Sequence, residues 1–271
     1  MDRPSISTNR SADGLRLVRL LDLTLPSAAE NLALDEALFN DLDEHGGDPV
    51  LRFWESDRYF VVLGRSCRLH DDVYTEACRR DNIAVLRRAS GGGTVLQGPG
   101  CLSYALVLPL EWHSDLRDIR TTNRFILERI AQTLRRWEPA LAFREICDLA
   151  VNGFKISGNA QRRTRRTLLF HGTILHGLPI TLVSRYLREP RKQPAYRAGR
   201  PHDLFLRTID APLQDIKQAI ADVWNVRSTV ADVPMTRLQS AITSVLHRSA
   251  EEPEGADTIH PIPPIVKEGV P

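Results

Sequence analysis

Cysteine is scarce, no long apolar run is present, and the excess of charge of one sign is small. Four cysteines, Cys67, Cys78, Cys101 and Cys147, are scattered over 271 residues with no C-x-x-C pair. That spacing excludes a dense disulfide framework of the secreted kind, and reduced thiols in a cytoplasm are the expectation. No apolar stretch is long enough to span a bilayer, and the polar opening MDRPSISTNRSADG lacks the apolar core of a signal peptide. A soluble cytoplasmic protein with no membrane partner is therefore expected. The formal net charge of +2 is too weak to imply nucleic-acid binding, and no internal repeat is visible. An apolar fraction of 42% and a charged fraction of 26% are those of an ordinary globular chain able to bury a sizeable core.

Local patterning predicts an alternation of helices and strands. Ser27 and Glu30 stand at capping-box spacing ahead of Leu34, Ala37, Leu38 and Leu42, so a helix starts there and ends at Gly46-Gly47. The runs 50–54 and 59–63 flank a polar turn and read as a strand pair. A helix around 73–81, a strand over 84–88, the SGGGT segment and a strand over 103–109 follow. A longer helix over 123–137, capped by Thr121 or Thr122, leads to strands at 149–151, 155–157 and 168–175, the first two joined by an Asn152-Gly153 hairpin turn. Helices are expected near 181–187, 213–224 and 235–247.

Two stretches carry chemistry. Arg87-Arg88-Ala89-Ser90-Gly91-Gly92-Gly93-Thr94 puts three residues without side chains after a strand, where backbone N–H groups can approach an anion that a Cβ would hold away. It is neither a Walker A loop nor a G-x-G-x-x-G fingerprint. A mobile turn is the plainer reading. The second, from Asp148 through Lys155, Gly158 and Ala160 to Gln161, places a carboxylate and a lysine on opposite arms of one hairpin. Joining a carboxylic acid to ATP needs a cation beside the α-phosphate, for which Lys155 is the candidate, and a metal, for which Asp148 is the candidate ligand. A solvated ion pair would leave the same trace. His171-Gly172-Thr173 interrupts an apolar strand, and His171 read alone suits a satisfied core residue.

Five segments, 31–39, 61–65, 87–95, 148–160 and 171–175, occur in the order and spacing of the lipoate-protein ligase family, part of the biotin and lipoyl ligase superfamily. The chain closely resembles that family over roughly 15–230. The resemblance implies an α/β fold of α+β type, a mixed sheet flanked by helices, similar to the class II aminoacyl-tRNA synthetase and biotin-lipoyl ligase catalytic core. It implies a ligase that activates lipoate, or a similar medium-chain acid, with ATP and Mg2+ to an acyl-adenylate, then passes the acyl group to a lysine of a lipoyl-carrier domain. Carried over by position, Lys155 would be catalytic. Ser90 and Gly91 to Gly93 would hold the adenylate, Arg65 and Arg88 would meet phosphates or the acid, Gly158, Ala160, His171 and Thr173 would line the site, and Asp148 would hold magnesium.

The chain departs from the family pattern at Gln97-Gly98-Pro99-Gly100, where ligases usually carry a His-Asp pair. After a polar leader (1–14) and the catalytic domain (15–230), only a helix (231–248) and a Pro/Glu-rich tail expected to be disordered (249–271) remain, so an accessory polypeptide is a candidate partner. Two alternatives stay open: an ATP-independent octanoyl or lipoyl transferase using Cys147 as nucleophile, and a non-catalytic lipoyl-binding protein. The arginines at 162, 163, 165 and 166 read either as a solvated loop or as a docking surface for an acidic carrier.

Overall fold

A computed structural model describes residues 17–251. The leader predicted over 1–14 and the predicted tail from 252 onward lie outside the described residues, whereas Ser249 and Ala250 belong to the last helix. In chain order the elements are β1 (Val18–Asp22), α1 (Ala28–His45), β2 (Val50–Trp54), β3 (Phe60–Leu63), α2 (Leu69–Asp72), α3 (Thr75–Arg80), β4 (Ala84–Arg87), β5 (Val95–Gln97), β6 (Cys101–Pro109), α4 (Ile119–Leu134), β7 (Leu141–Arg144), β8 (Asp148–Val151), β9 (Phe154–Arg163), β10 (Thr167–Leu175), α5 (Thr181–Tyr186), α6 (His202–Phe205), α7 (Leu213–Val223), β11 (Val226–Thr229) and α8 (Met235–Ala250).

Eight strands form one mixed sheet in the order β11-β1-β2-β6-β10-β9-β8-β7, and β4-β3-β5 form a second, smaller one. In the large sheet β1 pairs parallel with β2 and β11, and the remaining neighbours are antiparallel. The strands expected to pair at 50–54 and 59–63 thus separate, β2 entering the large sheet and β3 the small one. Both are buried throughout, so each needs cover on two faces, which a simple hairpin does not supply.

Side chains of partners in register share a face. One face of the large sheet presents Leu51, Phe53, Leu102, Tyr104, Leu106, Leu149 and Phe170 to Ile126, Ile130, Leu134, Ile216 and Ile220 of α4 and α7. The other face presents Val50, Trp54, Ala105, Val107 and Leu169 to α1, α8 and the small sheet. That second core draws on β2, β6 and β10 but not on β8 or β9, and α1 meets β9 at Arg162, which stacks on Phe39. Among the described residues no helix is long and apolar enough to cross a membrane.

Caps match the sequence at one end and correct it at another. Ser27 accepts from the Glu30 N–H while the Glu30 carboxylate accepts from the Ser27 N–H at 2.8 Å, closing the predicted capping box. Helix α4 starts four residues earlier than expected because Asp118, not Thr121 or Thr122, accepts from the N–H groups of Arg120 and Thr121.

One buried ion pair anchors α1 to the sheet. The Arg52 guanidinium, fully buried, donates to Asp35 at 2.5 Å, to the Asn31 carbonyl at 2.7 Å and to the Leu23 carbonyl at 3.0 Å. Burial pushes the Asp35 carboxyl up from its ordinary value, against the pull of Arg52. Removing the cation would strand that carboxylate. Arg52→Ala should lower unfolding free energy by about 3–5 kcal/mol in a denaturant titration, as for other broken buried pairs.

Candidate active site

A bulge in β9 aims Lys155. The β8–β9 register steps from Leu149↔Ser157 to Ala150↔Lys155, so one extra residue, Ile156, is inserted in β9. Ile156 and Ser157 are both buried. Without the insertion Lys155 and Gly158, three apart, would face opposite ways. With it, the Lys155 side chain lies back across Gly158, where an added Cβ would come within 2.8 Å of Nζ. The ammonium meets Asp148 Oδ1 at 2.8 Å, and the Tyr196 hydroxyl donates to Asp148 Oδ2 at 2.8 Å. The hairpin that carries this pair turns at Asn152 and Gly153, both at positive φ (50° and 81°), as the Asn-Gly signal requires.

Small residues continue the floor beyond Lys155. In register across β9, β10 and β6 run Gly158, Thr173 and Ser103, and beside them Ala160, His171 and Ala105. Gln97 reaches from the small sheet to donate to the Thr173 hydroxyl at 3.1 Å.

The triple glycine hangs over this floor. Arg88, buried at the end of β4, donates through Nη2 to the carbonyls of Gly91 (2.7 Å) and Gly93 (2.8 Å) and through Nε to the Ser90 hydroxyl (3.0 Å). The Gly92 carbonyl packs against Gly64, where a Cβ would sit 2.0 Å away, and takes the Cys67 thiol at 3.4 Å. In a trans peptide the carbonyl and the next N–H point in opposite directions. The N–H groups of Gly92 and Thr94 are therefore turned away from Arg88, and that of Gly93 is turned away from Gly64 and Cys67. Gly91 and Gly93 have nothing within 4 Å of an added Cβ, so the loop's outer side is open.

The electrostatics favour an anion. Burial lowers Arg88 only to about 10, so it stays charged at neutral pH. His171, half-buried by exposed area yet closely surrounded, stands 2.6 Å from the Ser90 hydroxyl. Burial first, and then the Arg88 charge, push it down to about 3, so its ring is neutral. Cys147 is held above its ordinary thiol value by burial and by the Asp148 carboxylate, against the pull of Lys155 and Arg88. Its carbonyl takes Asn159 Nδ2 at 2.8 Å.

Residues 27–224 match the family model of the lipoyl protein ligase A/B catalytic domain. The chain belongs to this family. An octanoyltransferase LipM from an Exiguobacterium strain is 30% identical over 178 residues, 57% of this chain and 64% of the relative. A probable lipoate-protein ligase A from Mycoplasma pneumoniae is 26% identical over 157 residues, 58% of this chain and 45% of the relative. The matches thus span less than two thirds of either relative. In fold, the chain is similar to a chain from the structural study of a bi-partite lipoate protein ligase and its E2 lipoyl domain from Thermoplasma acidophilum, with TM-score 0.74 and 21% identity over 86% of this chain and 96% of that one.

Within this lipoyl ligase fold the sequence-selected residues converge unevenly. Lys155, Asp148, Gly158, Ala160, His171, Thr173, Ser90 and the triple glycine gather on one face of β9 and β10 and above it. Arg65 is joined to the group through its backbone N–H, which donates to the Ser90 carbonyl at 2.9 Å, while its side chain is exposed. Arg88, expected to meet phosphates or the acid, donates to the loop carbonyls and to the Ser90 hydroxyl. Asp148, the expected magnesium ligand, accepts one bond on each oxygen, from Lys155 and from Tyr196, and a metal there would have to share the carboxylate with the Lys155 ammonium. Among the described residues no three His, Cys, Asp or Glu side chains cluster as a metal site. The arginine run is partly tied into the fold. Arg162 stacks on Phe39 and faces Glu36, Arg163 bonds Leu116 and Thr122, Arg166 bonds Asp43, and Arg165 alone of the four is left over. Tyr196 and Cys67 were missed, because only long-range folding brings them to the site.

Two outcomes follow from this geometry. Gly158→Ala should melt within about 5 °C of wild type, because only a flexible lysine tip must move, yet lose at least ~10-fold in acyl activation through misplacement of that tip. Because the folded pKa of His171 lies below its unfolded value near ~6.5, the unfolded chain binds the proton first. The His171 contribution is therefore intact above that value and is lost as pH falls toward 3. Urea unfolding at pH 7 and pH 4.5 should show a larger stability loss for wild type than for His171→Gln.

Proposed function

We propose that this chain activates lipoate, or a similar medium-chain acid, with ATP and transfers the acyl group to a lysine of a lipoyl-carrier domain. The observation that carries the reading is that Lys155, aimed by the β9 bulge across Gly158, and the glycine loop, packed near Ala160 and His171, share one face of β9 and β10. A mixed anhydride of acid and phosphate has no need of a nucleophilic side chain. It needs fixed donors and a compact cation where negative charge builds up. A carboxylate oxygen of the acid attacks the α-phosphate and the bond to pyrophosphate breaks. The carrier lysine amine then attacks the acyl carbonyl, AMP leaves, and an amide remains.

In this scheme the glycine N–H groups hold the phosphate and Lys155 bridges phosphate and acyl oxygens. Asp148 positions Lys155 until the anion arrives, and His171 stays a neutral hydrogen-bond partner of Ser90. Magnesium enters with ATP as part of the substrate. Gly158, Ala160 and Thr173 form the floor for the acyl chain, with Arg65 at the loop's outer side. A separate accessory polypeptide is a proposed partner besides the carrier.

The second reading is an ATP-independent transferase with a thioester on Cys147, favoured by the likeness to an octanoyltransferase. Against it, the Cys147 thiol is kept protonated by burial and Asp148, and a thiol is a poor nucleophile compared with its thiolate. The test is incubation with MgATP and lipoate or octanoate before any carrier is added. Acyl-AMP and pyrophosphate should appear, and Lys155→Arg should reduce their formation on the order of 100-fold, because a guanidinium cannot replace the compact ammonium. Acyl-thioester formation without ATP, abolished by Cys147→Ser, would replace this reading with the transferase.

A further inference from the structure

Helix α8 is fastened to the strand that feeds the glycine loop. β4 is an edge of the small sheet, so an outward N–H at its end has no strand partner. The Arg87 N–H, on that edge, donates to Ser249 Oγ of α8 at 2.9 Å, and Arg87 Nε reaches the Arg248 carbonyl at 3.3 Å. Through Nη1 the same Arg87 holds the carbonyls of Gly64 (3.1 Å) and Cys67 (2.6 Å), the two residues that pack on the Gly92 carbonyl.

Glu36 closes the network from the other side. This buried α1 carboxylate pairs with Arg248 of α8 and faces Arg162 of β9 at 3.7 Å, and the Ala89 N–H, one residue before Ser90, works with both cations against the upward push of burial on the carboxylate's pKa. Leu238, Ala241 and Val245 seat α8 on the core beneath α1. Residues 87, 88 and 89 thus lie in succession against α8, the loop's own carbonyls and Glu36.

From this arrangement we infer that the last turn of α8 is a clamp on the root of the glycine loop, with Glu36, Arg248 and Ser249 as positioning residues that set the loop's affinity for phosphate. The inference rests on reading the loop as a phosphate site. None of the three side chains reaches Lys155, so the clamp acts on binding rather than on the transfer step. A loop held in its binding shape loses less conformational freedom when the anion arrives.

The full chain, wild type and Arg248→Ala/Ser249→Ala, is to be compared by amide hydrogen exchange and by ATP-dependent pyrophosphate release. Amides 88–94 should exchange at least ~10-fold faster in the double variant while those of β10 stay protected. The KM for MgATP should rise about tenfold with kcat changed less than about threefold, and Arg248→Lys, which keeps the charge on Glu36, should recover part of the KM. Wild-type exchange at 88–94 in the double variant overturns the clamp. Should the wild type make no adenylate, the ligase reading fails while exchange still decides the clamp. If the double variant does not fold, Ser249→Ala alone carries the same exchange comparison.

Discussion

The Arg88 guanidinium, buried and charged, is the constraint on which the site's geometry depends. It satisfies itself on the carbonyls of Gly91 and Gly93 and on the Ser90 hydroxyl. Burying a cation without such partners would cost several kcal/mol on the order of a full desolvation. By drawing these two carbonyls inward it turns the N–H groups of Gly92 and Thr94 away from itself. Ser90 then couples the loop to His171 on the large sheet, and Gly64 allows the VLGR turn to close on Gly92.

The second half of the arrangement comes from the sheet itself. One inserted residue in β9 brings Lys155 to the face that carries Gly158 and Ala160, and the absence of a side chain at Gly158 lets the lysine lie flat. Asp148 and Tyr196 fix its tip. Donors and cation are thus held in place before any ligand arrives, by groups that do not themselves react. Such preorganisation is where a site for an acyl-phosphate species gains its advantage over water.

Much of this was legible in the linear sequence, and the rest was not for identifiable reasons. The α1 capping box and the Asn152-Gly153 turn are local signals, and both stand as read because their partners lie within a few residues. The order of five motifs identified the family and the residues that converge. The strands β1, β5, β7 and β11 gave no clear signal, since short strands are defined by partners far away in the chain. The β9 bulge is invisible because apolar Ile156 and Ser157 do not reveal which of their neighbours is displaced. Sequence shows a cation beside a glycine loop, but not that the loop carbonyls curl back to meet Arg88. It shows the Asp148 carboxylate near Lys155, but not Tyr196, 48 residues away, on its other oxygen.

The central claim is that the Gly92 to Thr94 amides and Lys155 receive one acyl-phosphate ligand between them. Titrating the isotope-labelled protein with a non-hydrolysable acyl-adenylate analogue, and following backbone amide resonances by NMR, tests it most directly. The account predicts that the Gly92, Gly93 and Thr94 amide protons shift together and saturate with the bound fraction, and that Lys155→Met abolishes the tight phase. Saturable binding that leaves those three amides unmoved would contradict it.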